Sequence, residues 1–157
     1  MPLLALPSLQ VTADVEALAW NPHTPTQFVV SSEDGAVVCL DARRGAGSPP
    51  LFTLTAHDKA ASALSFCPGL PGLLLTASTD KRVKLWSISV EGKPSKLAGE
   101  DLKVGAVFAA GFCPDAPFVV AAGGAKGTVS VWDTTTHASV AAYIQQQQQQ
   151  KEEGGGS

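Results

Sequence analysis

The sequence predicts an all-β fold built from three successive four-stranded antiparallel units. The first observation is a repeat, because "LAWNP", "LSFCP" and "AGFCP" place Trp20, Phe66 and Phe112 at a constant spacing of 46 residues. The second is the alternation of apolar and polar residues in "VKLWSI" and "TVSVWD", which is typical of half-buried strands. The third is that the repeats carry no long helical stripe. Together these patterns indicate three copies of one β unit.

The register of the repeat extends over a whole unit. "FVVSSEDGAVVCLDA" (28–42), "LLTASTDKRVKLWSI" (74–88) and "VVAAGGAKGTVSVWD" (119–133) place Leu40, Trp86 and Trp132 at one position. Asp34 and Gly35 suit a tight turn with positive φ. We expect a fourth strand in each unit, at 51–55, around 96–98 and at 139–144. Four short antiparallel strands in a repeat of this length describe a propeller blade.

Composition excludes several classes of function. The 157 residues, 45% hydrophobic and 16% charged, are enough to bury a core. A net charge of −3 gives no long-range attraction to nucleic acid or anionic lipid, and the cluster "KRVK" (81–84) is interpreted as a solvated strand face. No apolar run is long enough to span a membrane, and no secretory signal pattern is present, so we expect an intracellular protein. The three widely spaced cysteines are interpreted as small buried hydrophobes, and we expect no metal and no cofactor.

Residues 14–144 resemble the WD40 family. The second unit carries the fullest signature, with His57 at the family's Gly-His position, Asp80 in a tight turn, and Trp86 where the family has Trp-Asp. The first unit departs from it, since Leu40 replaces the Trp. The resemblance implies a β-propeller, and we expect this chain to be a three-bladed fragment of a seven-bladed ring. The other signature positions are Asp34, Gly35, Asp41, Trp132 and Asp133.

The same resemblance implies that His57, Thr76, Asp80 and Trp86 form one hydrogen-bonded chain. A buried Trp indole N–H needs an acceptor, which the Thr hydroxyl supplies while it passes its own proton toward the imidazole, whose tautomer Asp80 fixes. The alternative is a Thr or Ser nucleophile supported by His and Asp, but the sequence gives no sign of an exposed nucleophile or an oxyanion hole. We therefore expect a structural tetrad, no catalytic residues and no enzymatic activity.

The repeat divides the chain into five segments. Residues 1–13 form an N-terminal segment, for which one interpretation is the outer strand of a preceding blade. Blade one takes 14–55, blade two 56–99 and blade three 100–144. The register of the repeat ends after Ile144. Residues 145–157, "QQQQQQKEEGGGS", are expected to be a disordered tail. Blade two is expected to be the best ordered, because the other two lack the tetrad and depend on packing alone.

The function is indicated by resemblance rather than by chemistry. The strings of all three units look like the C-terminal blades of a nuclear and nucleolar WD40 protein, which implies a scaffold in large-ribosomal-subunit assembly and rRNA processing. Its partners would be proteins bound on the propeller faces, pre-ribosomal particles or histones, through loops near 22–27, 67–72 and 114–117. The alternatives are a substrate receptor of a cullin-type ubiquitin ligase, with Arg43 of "LDAR" as the partner contact, and a histone- or chromatin-binding WD40 adaptor.

Overall fold

The computed structural model describes residues 9–44, 47–88 and 93–154, and these contain eleven strands in three antiparallel sheets. The first sheet consists of β1 (Val15–Trp20), β2 (Gln27–Ser32), β3 (Ala36–Asp41) and β4 (Phe52–Thr55). The second consists of β5 (Ala61–Phe66), β6 (Leu73–Ser78), β7 (Val83–Ser87) and β8 (Ser95–Glu100). The third consists of β9 (Val107–Phe112), β10 (Val119–Gly124) and β11 (Val129–Asp133). In every sheet each strand pairs with the next one along the chain, which confirms the all-β propeller class.

The repeat of the sequence is also the register of the sheets. Leu18 pairs with Val30, Leu64 with Thr76, and Ala110 with Ala122, so the three sheets align at the same offset of 46 residues. Trp86 and its counterparts in the other two blades also pair with equivalent residues of the second strand. Equal register means that a residue in one blade can be compared directly with its counterpart in the next.

The expected fourth strand of blade three, at 139–144, was wrong. A single 3₁₀ turn at Thr134–Thr136 leads into the helix α1 (Ala138–Gly154), which includes most of the segment expected to be disordered. Ala and Gln are good helix formers, and Val140 and Ile144 stand four residues apart on one helical face. Both of these side chains are buried in the core, so packing selects the helix. The third sheet therefore has three strands among the described residues.

The cores lie between neighbouring sheets rather than within one. The cluster between blades one and two includes Val29 and Val37 of the first sheet with Phe66 and Trp86 of the second. A second cluster joins blade two to blade three and to one face of α1. Cys39 and Cys67 are buried as expected of small hydrophobes, whereas Cys113 is partly exposed. Each blade is thus stabilised mainly by the blade beside it.

The remaining segments are simple to place. Residues 9–13 form no strand, and the expectation that the N-terminal segment completes a preceding blade stays a prediction; its first eight residues lie outside the described ones. The helix found in the described ranges falls short of the length and apolarity that crossing a membrane requires.

Candidate functional site

The four residues of the expected tetrad meet beside strand β6. Thr76 Oγ1 lies 2.8 Å from His57 Nε2 and 2.9 Å from Trp86 Nε1. His57 Nδ1 lies 2.8 Å from Asp80 Oδ2. Trp86 pairs with Leu74, two residues from Thr76 on the same face of the sheet, and this register brings the indole to the hydroxyl. The structure therefore brings together all four residues that the sequence had grouped.

The donors and acceptors fix the direction of each hydrogen bond. An indole N–H can only donate, so Trp86 donates to the Thr76 oxygen. The Thr76 hydroxyl then donates to Nε2 of His57, which leaves the ring proton on Nδ1, where it is donated to Asp80. Burial lowers the pKa of the His57 imidazole below its ordinary value, against the opposing effect of Asp80, and this favours the neutral ring that the chain of bonds requires.

Asp80 holds the turn between β6 and β7 as well as the histidine. Its Oδ1 accepts from the Arg82 N–H at 2.8 Å, and its own N–H donates to Ser78 Oγ at 3.0 Å. Lys81, inside this turn, has a φ of 73°, which few side chains adopt readily. The carboxylate therefore fixes the turn and the imidazole together.

The backbone of His57 is anchored by blade one. The N–H groups of Ala56 and His57 both donate to the carbonyl of Gly35, each at 3.1 Å. Gly35 has a φ of +86°, and a Cβ built on it would lie 1.9 Å from the His57 carbonyl oxygen. Only glycine fits this close approach, and the turn of one blade thereby positions the tetrad of the next.

The tetrad is unsuited to catalysis in this form. The order of Thr, His and Asp resembles a catalytic triad, with a nucleophile, a base and an acid. The Thr76 side chain is nevertheless fully buried, and His57 is almost fully buried. A hydroxyl without exposed surface cannot reach a substrate, and its oxygen already accepts from an indole. The arrangement can satisfy buried polar groups and order a turn.

Blade one keeps a polar cluster that sequence reasoning missed. Asp34, the counterpart of Asp80, accepts from Thr12 Oγ1 at 2.7 Å, from Ser32 Oγ at 2.6 Å and from the Ala36 N–H at 3.1 Å. These hydrogen bonds, the one from Ser32 foremost, lower the pKa of the Asp34 carboxyl. The 46-residue alignment sets Val11 against His57, and so gave no signal for Thr12. The expectation that blade one depends on packing alone was therefore wrong for its turn.

The other signature residues lie apart from the tetrad. Asp133 caps the 3₁₀ turn by accepting from the N–H and hydroxyl of Thr135 at 3.0 and 2.6 Å. Trp132 is buried, but Ala122 stands where blade two has its Thr hydroxyl. Asp41 accepts from the Arg43 N–H at 2.9 Å, and the two side chains form an ion pair at 3.4 Å. The Arg43 side chain is 67% exposed and lies on the surface of this turn.

The loops after the first strand of each blade contact one another. His23 in the loop of blade one lies with Nε2 2.9 Å from the carbonyl of Cys67 in the loop of blade two. The Cys67 thiol donates to the carbonyl of Pro117 in blade three at 3.0 Å, and Gly69 packs against the same proline. The three loops therefore form one continuous face. Cys67 contacts both of the other loops, and the sequence analysis did not predict this role.

A polar cavity of about 440 Å³ borders the tetrad at Asp80. It contains Lys84, whose Nζ donates to the Ala56 carbonyl at 2.7 Å, and both signs of charge are present. The mixture of acidic and basic side chains favours a solvated strand face over a binding site for polyanions. Its lining residues are Asp58, Asp80, Arg82, Lys84, Lys96 and Gly99.

Comparison with known proteins finds relatives that agree with the observed sheets and repeat. Residues 48–87 and 97–133 match the family described as WD domain, G-beta repeat. An uncharacterized WD repeat-containing protein of Schizosaccharomyces pombe is 42% identical over 85% of this chain and 26% of its own length. Periodic tryptophan protein 1 of Saccharomyces cerevisiae is 32% identical over 72% of this chain and 21% of its own length. Human coronin-7 is 29% identical over 73% of this chain and 12% of its own length.

The chain thus spans about a quarter or less of the length of these relatives. The matched segments each begin near the outer strand of one blade, β4 or β8, and end at the third strand of the next, so they are offset by one strand from the sheets. Propellers of this kind are generally non-catalytic scaffolds for protein interactions. The sheet order, the repeat and these relatives agree, and the chain belongs to the WD40 repeat family.

Proposed function

We propose that this chain is part of a protein-binding propeller that acts in ribosome biogenesis, in the nucleus and nucleolus. The observation that carries the proposal is the chain's similarity to periodic tryptophan protein 1, at 32% identity over 72% of the chain. That resemblance implies large-subunit assembly and rRNA processing, with pre-ribosomal particles or histones as partners. Coronin-7 is similar over a comparable 73% of the chain, at 29% identity, and that similarity supports the shared fold.

The geometry supports binding in place of chemistry. The polar groups of the tetrad are buried and used by one another, so their role in this proposal is to hold blade two in shape. The joined loops around His23, Cys67 and Pro117 offer a surface that spans three blades. A surface built from several blades suits a protein partner, since each loop contributes a part of the contact.

A second candidate function rests on Arg43. Its exposed guanidinium stands above Asp41 in the turn after β3, where cullin-type ligase receptors often carry an Arg of the Trp-Asp-x-Arg motif. The motif lacks its Trp here, because Leu40 occupies that position. The Asp41 contact holds the side chain near its own turn, which favours the scaffold over the receptor.

Affinity purification of the tagged chain from cells separates these candidates. We expect large-subunit assembly proteins and precursor rRNA in the bound fraction, and histones if the chromatin role applies. Arg43→Ala is the matched variant, because it removes an exposed side chain and should leave folding intact. Recovery of a ligase adaptor that is lost with Arg43→Ala would favour the receptor, and absence of pre-ribosomal material would contradict the proposal.

A further inference from the structure

Three basic side chains gather where blade two meets blade three, at the end of the sheets opposite the joined loops. Arg82 lies in the turn between β6 and β7, Lys103 in the connection between β8 and β9, and Lys126 in the turn between β10 and β11. All three lie near the Asp101 carboxylate. Lys103 donates its backbone N–H to Asp101 Oδ1 at 2.9 Å, and its Nζ lies 3.9 Å from Oδ2. This N–H foremost, followed by the positive charges of the three side chains, lowers the pKa of the Asp101 carboxyl.

Two of these cations are available to a partner. Arg82 and Lys126 are exposed and form no ion pair with any residue that the structure describes. Their backbones are nevertheless fixed, because the Lys126 N–H donates to the Val104 carbonyl at 3.1 Å and the Arg82 N–H to Asp80 Oδ1 at 2.8 Å. Both charges are therefore held on one surface without an ion-pair partner of their own.

The polar cavity beside Asp80 extends this basic surface. Arg82 lines the cavity, and Lys84 and Lys96 add two further cations to its wall. The Asp80 carboxylate is already occupied, because it accepts from the tetrad histidine and from the Arg82 N–H. A volume of about 440 Å³ is enough to admit an amino-acid side chain. The whole surface, which we name the basic junction, consists of the five cations Arg82, Lys84, Lys96, Lys103 and Lys126 with the three carboxylates of Asp58, Asp80 and Asp101.

The corresponding region of blade one carries the opposite charge. Asp34 occupies the repeat position of Lys126, and Glu33 and Asp14 lie beside it, with the Glu33 N–H donating to the Asp14 carbonyl at 2.8 Å. An extended nucleic acid, with a negative charge on every phosphate, would meet these carboxylates as well as those inside the basic junction. A protein segment can instead confine its acidic side chains to the junction, and such charge complementarity selects the partner and its orientation.

We propose that the basic junction binds a short acidic segment of a partner protein, whose separated Asp or Glu side chains meet Arg82 and Lys126 and enter the polar cavity. A guanidinium binds a carboxylate through two parallel N–H donors, so Arg82 would orient the segment more precisely than the lysines. Asp101 opposes this binding, because its negative charge lies near both cations. The site lies at the other end of the sheets from the joined loops and does not depend on the proposed role in ribosome biogenesis.

Fluorescence anisotropy with the 157-residue chain tests the site, and the probe is a short labelled peptide in which Glu alternates with Ser. We expect the peptide to bind at low salt and to be released as salt rises, because the screening length falls from about 10 Å at 0.1 M to about 3 Å at 1 M. The double variant Arg82→Gln/Lys126→Gln should weaken binding at least about tenfold. Arg44→Gln/Lys151→Gln is the matched control, since it removes one arginine and one lysine outside the junction and should leave binding unchanged. All four residues are exposed, so folding should be retained, which circular dichroism checks.

Asp101→Asn tests the site in the opposite direction. The amide oxygen of Asn can still accept from the Lys103 N–H, whereas the negative charge is lost, so the peptide should bind several-fold more tightly. A loss of folding cannot mimic such a gain in affinity.

Two further probes identify the chemistry of the ligand. A peptide with Gln in place of Glu should not bind, and a single-stranded RNA of similar length should bind more weakly than the acidic peptide. The proposal would be overturned by the absence of binding at low salt, by an unchanged affinity of the double variant, by equal binding of the Gln peptide, by weaker binding of Asp101→Asn, or by RNA that binds more tightly than the acidic peptide.

Discussion

Replacement of Thr76 by Val tests the central claim about the tetrad. Valine has nearly the same shape as threonine but lacks the hydroxyl, which accepts from Trp86 and donates to His57 at 2.9 and 2.8 Å. The change leaves two buried groups unpaired, an indole N–H and an imidazole nitrogen. At about 1 to 3 kcal/mol for each unpaired group, the free energy of unfolding should fall by about 2 to 6 kcal/mol. That is a large part of the ~5 to 15 kcal/mol of a typical domain.

Urea unfolding followed by circular dichroism measures this loss. Thr53→Val is the matched control, because Thr53 is exposed on β4 and its hydroxyl makes no hydrogen bond with the described residues, so the change should be within about 0.5 kcal/mol. In a Trp86→Phe background the Thr76→Val change should cost less, since one unpaired donor is already removed. If Thr76→Val is no more destabilising than Thr53→Val, the hydroxyl does not hold the tetrad together.

Three further predictions concern the turn, the histidine and the thiols. Gly35→Ala should lower the free energy of unfolding in urea by more than about 2 kcal/mol, because the added Cβ meets the His57 carbonyl. Gly47→Ala is the control, since Gly47 has a similar φ but open space around it, and it should cost only about 1 to 2 kcal/mol. Equal losses for the two variants would contradict this reasoning. In an NMR titration the pKa of His57 should lie below its ordinary value of 6.5, because the imidazole is buried. The neutral ring therefore stabilises the fold above pH 6.5, and this stabilisation is lost as the pH falls toward the pKa of the folded state. A midpoint above 6.5 would refute the burial argument. A thiol reagent at mildly alkaline pH should modify the partly exposed Cys113 before Cys39, whose pKa burial raises to about 11, and mass spectrometry of the peptides reports the order.

The sequence predicted the strands because they follow from local periodicity, and it predicted the tetrad because the second unit resembles a WD40 repeat. Alternation identifies a strand, and a repeat of 46 residues superimposes equivalent positions, while the resemblance of the second unit to the WD40 family grouped His57, Thr76, Asp80 and Trp86. Prediction of the strands needs no knowledge of distant contacts. The register of the sheets then follows from the same spacing.

The parts that could not be predicted depend on neighbours in space. "SVAAYI" fits a strand in the repeat and equally fits a helix that buries Val140 and Ile144, and only the blade core decides between them. Thr12 contacts Asp34 one residue away from where the repeat placed the partner. The contact of Cys67 with two other loops spans 44 and 50 residues of sequence, and no pattern within one blade indicates it.

The Gly35 turn has a consequence for how the protein unfolds. Its carbonyl accepts from the two N–H groups at the start of blade two, and that backbone carries the histidine of the tetrad. If blade one opened alone, these donors would lose their acceptor and the imidazole would lose its anchor. Local opening of one blade is thereby coupled to loss of order in the next, so blades one and two should behave as one cooperative unit in native-state hydrogen exchange.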